Sequence, residues 1–420
     1  MHRTTWMMGI LATTLAVAAP LAAQNAPDDR LYGRVVTAGG DSYEGFLRWD
    51  QNEGSWADIL NGDKEMPLEN IRDAERLDEE WARDREDARS ISILGLRISW
   101  DDEDDYTSSM SSGIRFGHIR RLRVIGDDRA RLELKSGEEI ELEGGSTDIG
   151  DDLRDLVVQD PERGEVTLRW RDLDEVEFRA PPEGLDGMSP RLHGTLTTRR
   201  GAEFTGFIAW DVDEVLGSDI LDGEERGRDR EIPFERIAAI ERAGSSGARV
   251  VLRNGEELTL RGSNDVDDDN RGISISDPGL GQVTVQWDEF DQVRFHPAAP
   301  GSGAYDTFDG GWALYGTVRT DGGEELSGWI RWDNDEEWSW ELMDGSQDDV
   351  EFDVEFAQID RVVRQGSWGS EVHLVDGRVL ELEDSNDVDD GNKGLYLTLE
   401  DGEVILVPWW DVDEVSFQRP

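Results

Sequence analysis

Leu314-Tyr315-Gly316, followed by Gly328-Trp329-Ile330-Arg331-Trp332-Asp333, decides how the rest of the chain is read, because the sequence states it three times. The pattern stands at Leu31-Tyr32-Gly33 with Gly45-Phe46-Leu47-Arg48-Trp49-Asp50, and at Leu192-His193-Gly194 with Gly206-Phe207-Ile208-Ala209-Trp210-Asp211. The later two copies keep one register: the intervals from 192 to 314, from 265 to 387 and from 295 to 417 are each 122 residues. A fixed period changes what a recurring residue means, since a residue that returns once per unit is first a folding residue.

Each unit opens with a strand, a Gly-containing turn and a second strand ending in Trp-Asp, as in Tyr315 to Thr320, Asp321-Gly322-Gly323 and Leu326 to Trp332. That turn chemistry belongs to a hairpin. A short apolar stretch closed by Gly follows, at Asp58 to Gly62, Asp219 to Gly223 and Glu341 to Gly345. Phe234, Ile237 and Ile240, like Phe356, Ile359 and Val362, have the spacing of one helical turn. No ten-residue amphipathic helix surrounds them, so a strand, a tight turn and a strand are expected. The second lobe begins with Val250 to Leu260, turning on Asn254-Gly255, a strong short hairpin signal. An acidic loop comes next, then a closing hairpin carrying Val283, Val285, Trp287, Val293 and Phe295. Their period of two lays one face on a core.

The expected fold is therefore all-β, with three tandem units, each of two small antiparallel barrel-like lobes, in an elongated or compactly stacked array. The units fall at 31–179, with an insertion near 75–112, at 190–297 and at 313–420, with a linker at 298–312. Leu31 and Phe178 lie 147 positions apart, against 103 between Leu192 and Phe295. Within the extra length Ile91 to Trp100 reads as a strand pair, Ile98-Ser99-Trp100-Asp101 as a worn Trp-Asp copy, and Asp78 to Ala88 as the one helix expected outside the N-terminus.

The first lobe, taken on Thr317 to Asp333, resembles the Sm-like and SH3-like small β-barrels, through its strand, Asp-Gly turn, Gly-aliphatic strand and aromatic-Asp end. The resemblance implies a small barrel fold and lateral association. Family members that bind RNA place an Asn shortly after the Asp. Asn52 and Asn334 are not at that spacing, and Asp211 has no Asn beside it, so the resemblance does not imply nucleic-acid binding.

Composition points the same way. The chain has 420 residues, 96 acidic against 43 basic, a formal net charge of −53. A nucleic-acid binder needs a basic footprint, and an anionic membrane surface attracts basic segments. Arg3, the apolar run Trp6 to Ala19 and the small-residue zone Pro20 to Gln24 read as a signal peptide (1–24), cleaved near Ala23/Gln24, which predicts a periplasmic or secreted protein. No later stretch is apolar enough to span a bilayer, and no cysteine is present to form a disulfide.

Three sets of residues are candidates for chemistry. The acidic loops Ser263 to Gly272 and Ser385 to Gly394 offer oxygens at alternate positions closed by Gly, the pattern a hard cation wants. Asp265, Asp267, Asp269, Asp387, Asp389 and Asn392 are the candidate ligands and Ca²⁺ the candidate ion. The bland alternative is an Asx-rich turn with Val266 and Val388 tucked inward. The Trp-Asp ending and its acidic followers, Asp211, Asp213 and Glu214 or Asp333, Asp335 and Glu336, form the second set. Trp49, Trp210 and Trp332 read as core residues, since large aromatics dominate core energetics. Trp338, Trp340, Trp368 and Trp410 are less tied to the repeat and form the third set, as an exposed patch for a ligand or a lobe interface.

Catalysis finds little support. The histidines read as solvated or edge-strand residues, and no nucleophile elbow, HExxH or phosphate-cradling loop appears. The expected function is a non-catalytic envelope or extracellular interaction scaffold with a protein or glycan partner. The rivals are calcium-dependent binding through the acidic loops, and a carbohydrate-binding or carbohydrate-active protein.

Overall fold

The computed structural model describes residues 27–84, 97–99, 107–182, 184–185 and 189–420. The expected signal peptide (1–24), the end of the expected helix (85–88), most of the expected strand pair Ile91 to Trp100 and the worn Trp100-Asp101 copy lie outside these residues. The first unit contains β1 (Tyr32–Thr37), β2 (Ser42–Arg48), β3 (Ile59–Glu65), α1 (Leu68–Asp84), β4 (Arg97–Ser99), β5 (Thr107–Arg115), β6 (Ile119–Val124), β7 (Arg129–Leu134), β8 (Glu139–Glu143), β9 (Leu156–Asp160), β10 (Gly164–Leu168) and β11 (Leu173–Phe178). Hydrogen bonding places them in the order β10-β9-β2-β1-β11-β6-β7-β8-β3-β5-β4, every pair antiparallel.

The third unit repeats that order strand for strand, from Val404–Val407 through Glu325–Trp332, Tyr315–Thr320, Val412–Phe417 and Ile359–Arg364 to Val350–Glu355. The second unit does so as well, except that its hairpin Ile220–Glu224/Asp229–Pro233 joins the rest through one bridge, Glu224↔Arg261. The protein is all-β, as the alternation predicted. Its one α-helix among the described residues is α1, which starts at Leu68, ten positions before Asp78. With β4 it fills the space between β3 and β5, where the other units have a short turn.

The lobes are not separate barrels. β1 pairs with β11 and β2 with β9, so the closing strands complete the first hairpin and one strand order runs through both lobes without closing on itself. The repeated glycines show why. A Cβ on Gly45 would lie 2.0 Å from the Gln159 carbonyl oxygen, and one on Gly206 would lie 2.4 Å from that of Ser276. Only glycine admits a neighbouring backbone this close. The ambiguous Phe-x-x-Ile spacing resolves into both readings at once: Phe234–Arg236 and Phe356–Gln358 are single 3₁₀ turns, and a strand begins at the next residue.

All three pairs of units touch. Gly281–Val285 pairs with Val350–Glu355, which joins the second and third sheets into one. Those two units share a continuous apolar core, while the core of the first takes in Phe207 and Trp340 from the others and Tyr305 and Phe308 from the segment 298–312. The segment 298–312 is anchored on the first unit: the Tyr305 hydroxyl donates to the Ile119 carbonyl at 3.0 Å, and its ring lies 4.5 Å from that of Trp56. The array is compact.

Candidate functional site

The Trp-Asp ending folds back on itself. Asp211 and Val212 both adopt positive φ (49° and 56°), as do Asp50 and Gln51, and Asp333 and Asn334. This tight turn brings the residue four positions after each Trp into a bridge with it, at Trp49↔Glu53, Trp210↔Glu214 and Trp332↔Glu336. The three tryptophans are fully buried, as core residues should be. Each indole N–H donates to the backbone carbonyl of an aspartate in the acidic loop: Asp148 at 2.9 Å, Asp265 at 2.8 Å and Asp387 at 3.0 Å.

The turn and the loop therefore meet, and three acids converge beneath each Trp: Asp50, Glu53 and Asp148; Asp211, Glu214 and Asp265; Asp333, Glu336 and Asp387. In the second unit one carboxylate oxygen from each of the three lies within 4.8 Å of the others. The Asp of the turn is the best compensated. Asp211 Oδ1 accepts the Arg271 backbone N–H at 2.6 Å, and its Oδ2 accepts from the Arg271 guanidinium at 2.8 Å and from the Asn264 amide. Asp50 is held alike by Thr147 and Arg154, and Asp333 by Asn386 and Lys393. The loop Asp accepts a strand N–H: Asp222 to Asp265 at 2.6 Å, Asn61 to Asp148 and Asp344 to Asp387 at 2.7 Å.

The Glu is different. Oε2 of Glu53, of Glu214 and of Glu336 is buried and has no hydrogen-bond partner. Burial, then the facing Asp265, Asp211 and Asp213, pushes the Glu214 carboxyl up to about 9. Burial and neighbouring acids push Glu53 and Glu336 well above the carboxylate range as well. Asp265 rises to about 6, again mainly through burial.

The cation ligands expected from loop spacing do not come together. Asp265 and Asp387 turn inward to the clusters above, while Asp267 Oδ1 accepts the Asp269 N–H and Asp389 Oδ1 accepts the Gly391 N–H, both local turns. Asp269 is exposed. Asn392 is buried and braces the loop, donating to the Asp387 carbonyl and accepting from Gly394. Val266 and Val388 are fully buried, which is the Asx-turn arrangement. The spacing gave no sign that Asp265 and Glu214 are neighbours, because the contact spans 51 residues; the recurrence of both motifs in each unit was the available signal.

Of the four tryptophans, Trp340 is buried against the first unit and Trp338 is half-buried, lining a cavity of about 340 Å³ with Trp340, Lys64 and Asn70. Trp368 and Trp410 are about half exposed, at 51% and 48%. Trp329, which stands in the repeated Gly-aromatic strand, is equally exposed, although its counterparts Phe46 and Phe207 are buried.

A second acid per unit serves the joints. Asp58, Asp219 and Glu341 each accept two backbone N–H groups at the end of the turn, and each takes a cation from another unit. Arg191 meets Asp58 at 2.9 Å, Arg48 meets Asp219 at 2.9 Å, and Lys64 contacts Glu341. His118 is not solvated as expected. It is buried where the units meet, 3.4 Å from Glu355, whose other oxygen lies 3.0 Å from Arg115. Arg115 also donates to the carbonyls of Asp277 and Pro278. Burial favours a neutral Glu355, but Arg115 and His118 outweigh it and hold the carboxyl below the ordinary range. Among the described residues no helix is long and apolar enough to cross a membrane. No protein-family model, curated protein or solved structure matches the chain.

Proposed function

We propose that this chain is a non-catalytic, exported interaction scaffold: a rigid three-unit β-array that presents one face of its third unit to a protein or glycan partner of the cell envelope. The observation that carries the reading is that the same acids recur in all three units, and that Asp58, Asp219 and Glu341 among them serve turns and inter-unit clasps. A reaction centre would break the repeat at one place. What is unrepeated is aromatic exposure. Trp329, Trp368, Val375, Val379 and Trp410 all belong to the third unit, and among the described residues only Leu68 and Ile125 are comparable elsewhere. Exposed aromatics with one apolar face and a polar tip are enriched where proteins meet partners.

The test has two arms. A photo-crosslinking residue at position 368 or 410 should capture a discrete partner in envelope extract, and the same residue at exposed Asp269 should not. A panel of glycosides, esters and peptides should show no turnover. Activity abolished by a single Glu53→Gln, Glu214→Gln or Glu336→Gln change would overturn the reading.

A further inference from the structure

The third unit lacks an arginine that the other two carry, and the loss uncovers a ring. Each unit opens with a bridge ahead of its first strand: Arg30↔Ser55, Arg191↔Leu216 and Ala313↔Trp338. Arg30 and Arg191 are buried. In the first unit the Arg30 guanidinium carbon lies 5.5 Å from the centre of the Phe46 ring, within the range of a cation–π contact. The counterpart of Phe46 in the third unit is Trp329. There Ala313 places no cation over the ring, and Trp329 is 53% exposed. The ring is otherwise held alike: Tyr32 meets Phe46 edge-on at 5.4 Å, and Tyr315 meets Trp329 edge-on at 5.1 Å. What the third unit lacks is the guanidinium.

A hollow of about 330 Å³ stands in its place. Ala313, Trp329 and Trp338 line it from the third unit, and α1 supplies Glu69 and Asp73. Helix α1 has no counterpart in the other units. Three departures from the repeat (the missing arginine, the added tryptophans and the extra helix) therefore meet at one place. The lining is acidic: Glu69, Asp73 and Glu337 against one cation, Arg331. Arg331 is buried and pairs with Asp73 at 2.9 Å. Glu69 and Glu337 are left without a counter-cation in the hollow.

We propose that this hollow takes an arginine side chain of a partner protein, its guanidinium over Trp329 as that of Arg30 lies over Phe46, and its charge met by Glu69 and Glu337. Trp offers a cation the best of the aromatic faces. A chain segment fits better than the free amino acid, since the one cation of the hollow is already tied to Asp73 and no other lines it to receive an α-carboxylate. A net charge of −53 steers a basic segment toward the site. The inference rests on the scaffold reading and deepens it by naming the partner's chemistry.

Titration calorimetry of residues 27–420 at constant ionic strength, with Nα-acetyl-L-arginine amide and with a short arginine-containing peptide, should give one saturable site. The matching citrulline compounds keep the shape without the charge and should bind at least tenfold more weakly. Trp329→Ala should weaken binding at least tenfold, and Glu69→Gln should weaken it as well. Ala313→Arg restores the residue of the first unit, and should abolish binding with a melting temperature at or above that of the parent. Trp368→Ala should change nothing. The proposal is overturned if no arginine compound binds, whether or not a neutral oligosaccharide does. It is overturned equally by binding unchanged in Trp329→Ala or in Ala313→Arg, by citrulline binding as well as arginine, or by free L-arginine binding tenfold tighter than the capped form. The probes are small compounds, so this titration can fail while crosslinking at 368 or 410 succeeds, or the reverse, and each reading falls on its own result.

Discussion

At the scale of the residue, the turn beneath each buried Trp shows a conflict the fold tolerates. The second left-handed position is Gln51 in one unit, Asn334 in another and Val212 in the third. A β-branched residue at φ 56° is strained, whereas Asn visits this region readily. Val212→Asn should stabilise the chain by about 1 kcal/mol, read by urea denaturation. The buried glutamates carry a second prediction. Glu214 releases its proton near 4.5 when unfolded and near 9 when folded, so in chelator the unfolded chain binds fewer protons between these values. The stability this group contributes is complete below about pH 4.5 and is lost as pH rises toward about 9. Glu53 and Glu336 act in the same sense. The melting temperature of the parent in chelator should fall across that window, and Glu214→Gln should flatten the slope. Residue identities made Trp210 legible as core and Val266 as tucked inward. They could not reveal that Glu214 meets Asp265, because carboxylates from distant segments carry no mark of their neighbour.

At the scale of the element, the strands were legible because period-two alternation and Gly turns are local properties, and the hairpin at Asn254-Gly255 stands where it was expected. Pairing beyond the hairpins was not. That β2 reaches β9, across more than a hundred residues, follows from the close approach its glycine permits, a fact of three-dimensional packing. Gly206→Ala therefore tests the element directly: the added methyl meets the Ser276 carbonyl, and the cost should be about 1–3 kcal/mol or more, with the pairing Phe207↔Ser276 losing amide protection. Helix α1 begins at Leu68, ahead of the expected Asp78, because Pro67 pre-sets the backbone of its first turn and its carbonyl accepts the N–H groups of Asn70 and Ile71.

At the scale of the whole molecule, buried charges that the sequence disguised as surface add to the shared apolar core and the Gly281–Val285 pairing where the units meet. Lysine occurs only at 64, 135 and 393, and each one is committed: Lys64 to Glu341, Lys135 to the carbonyls of Tyr305 and Phe308, Lys393 to Asp333. At the junction, Arg115 and Glu355 are both nearly inaccessible. Removing one member of such a pair strands the other, so Glu355→Ala should cost about 3–5 kcal/mol, measured by chemical denaturation, and Glu355→Gln less. The measurement that tests the compact three-unit array most directly is small-angle scattering of residues 27–420. A compact chain of that length should have a radius of gyration of about 21 Å. A value well above this, with the cross-section of a rod, would mean that the units are strung out and the inter-unit clasps do not form.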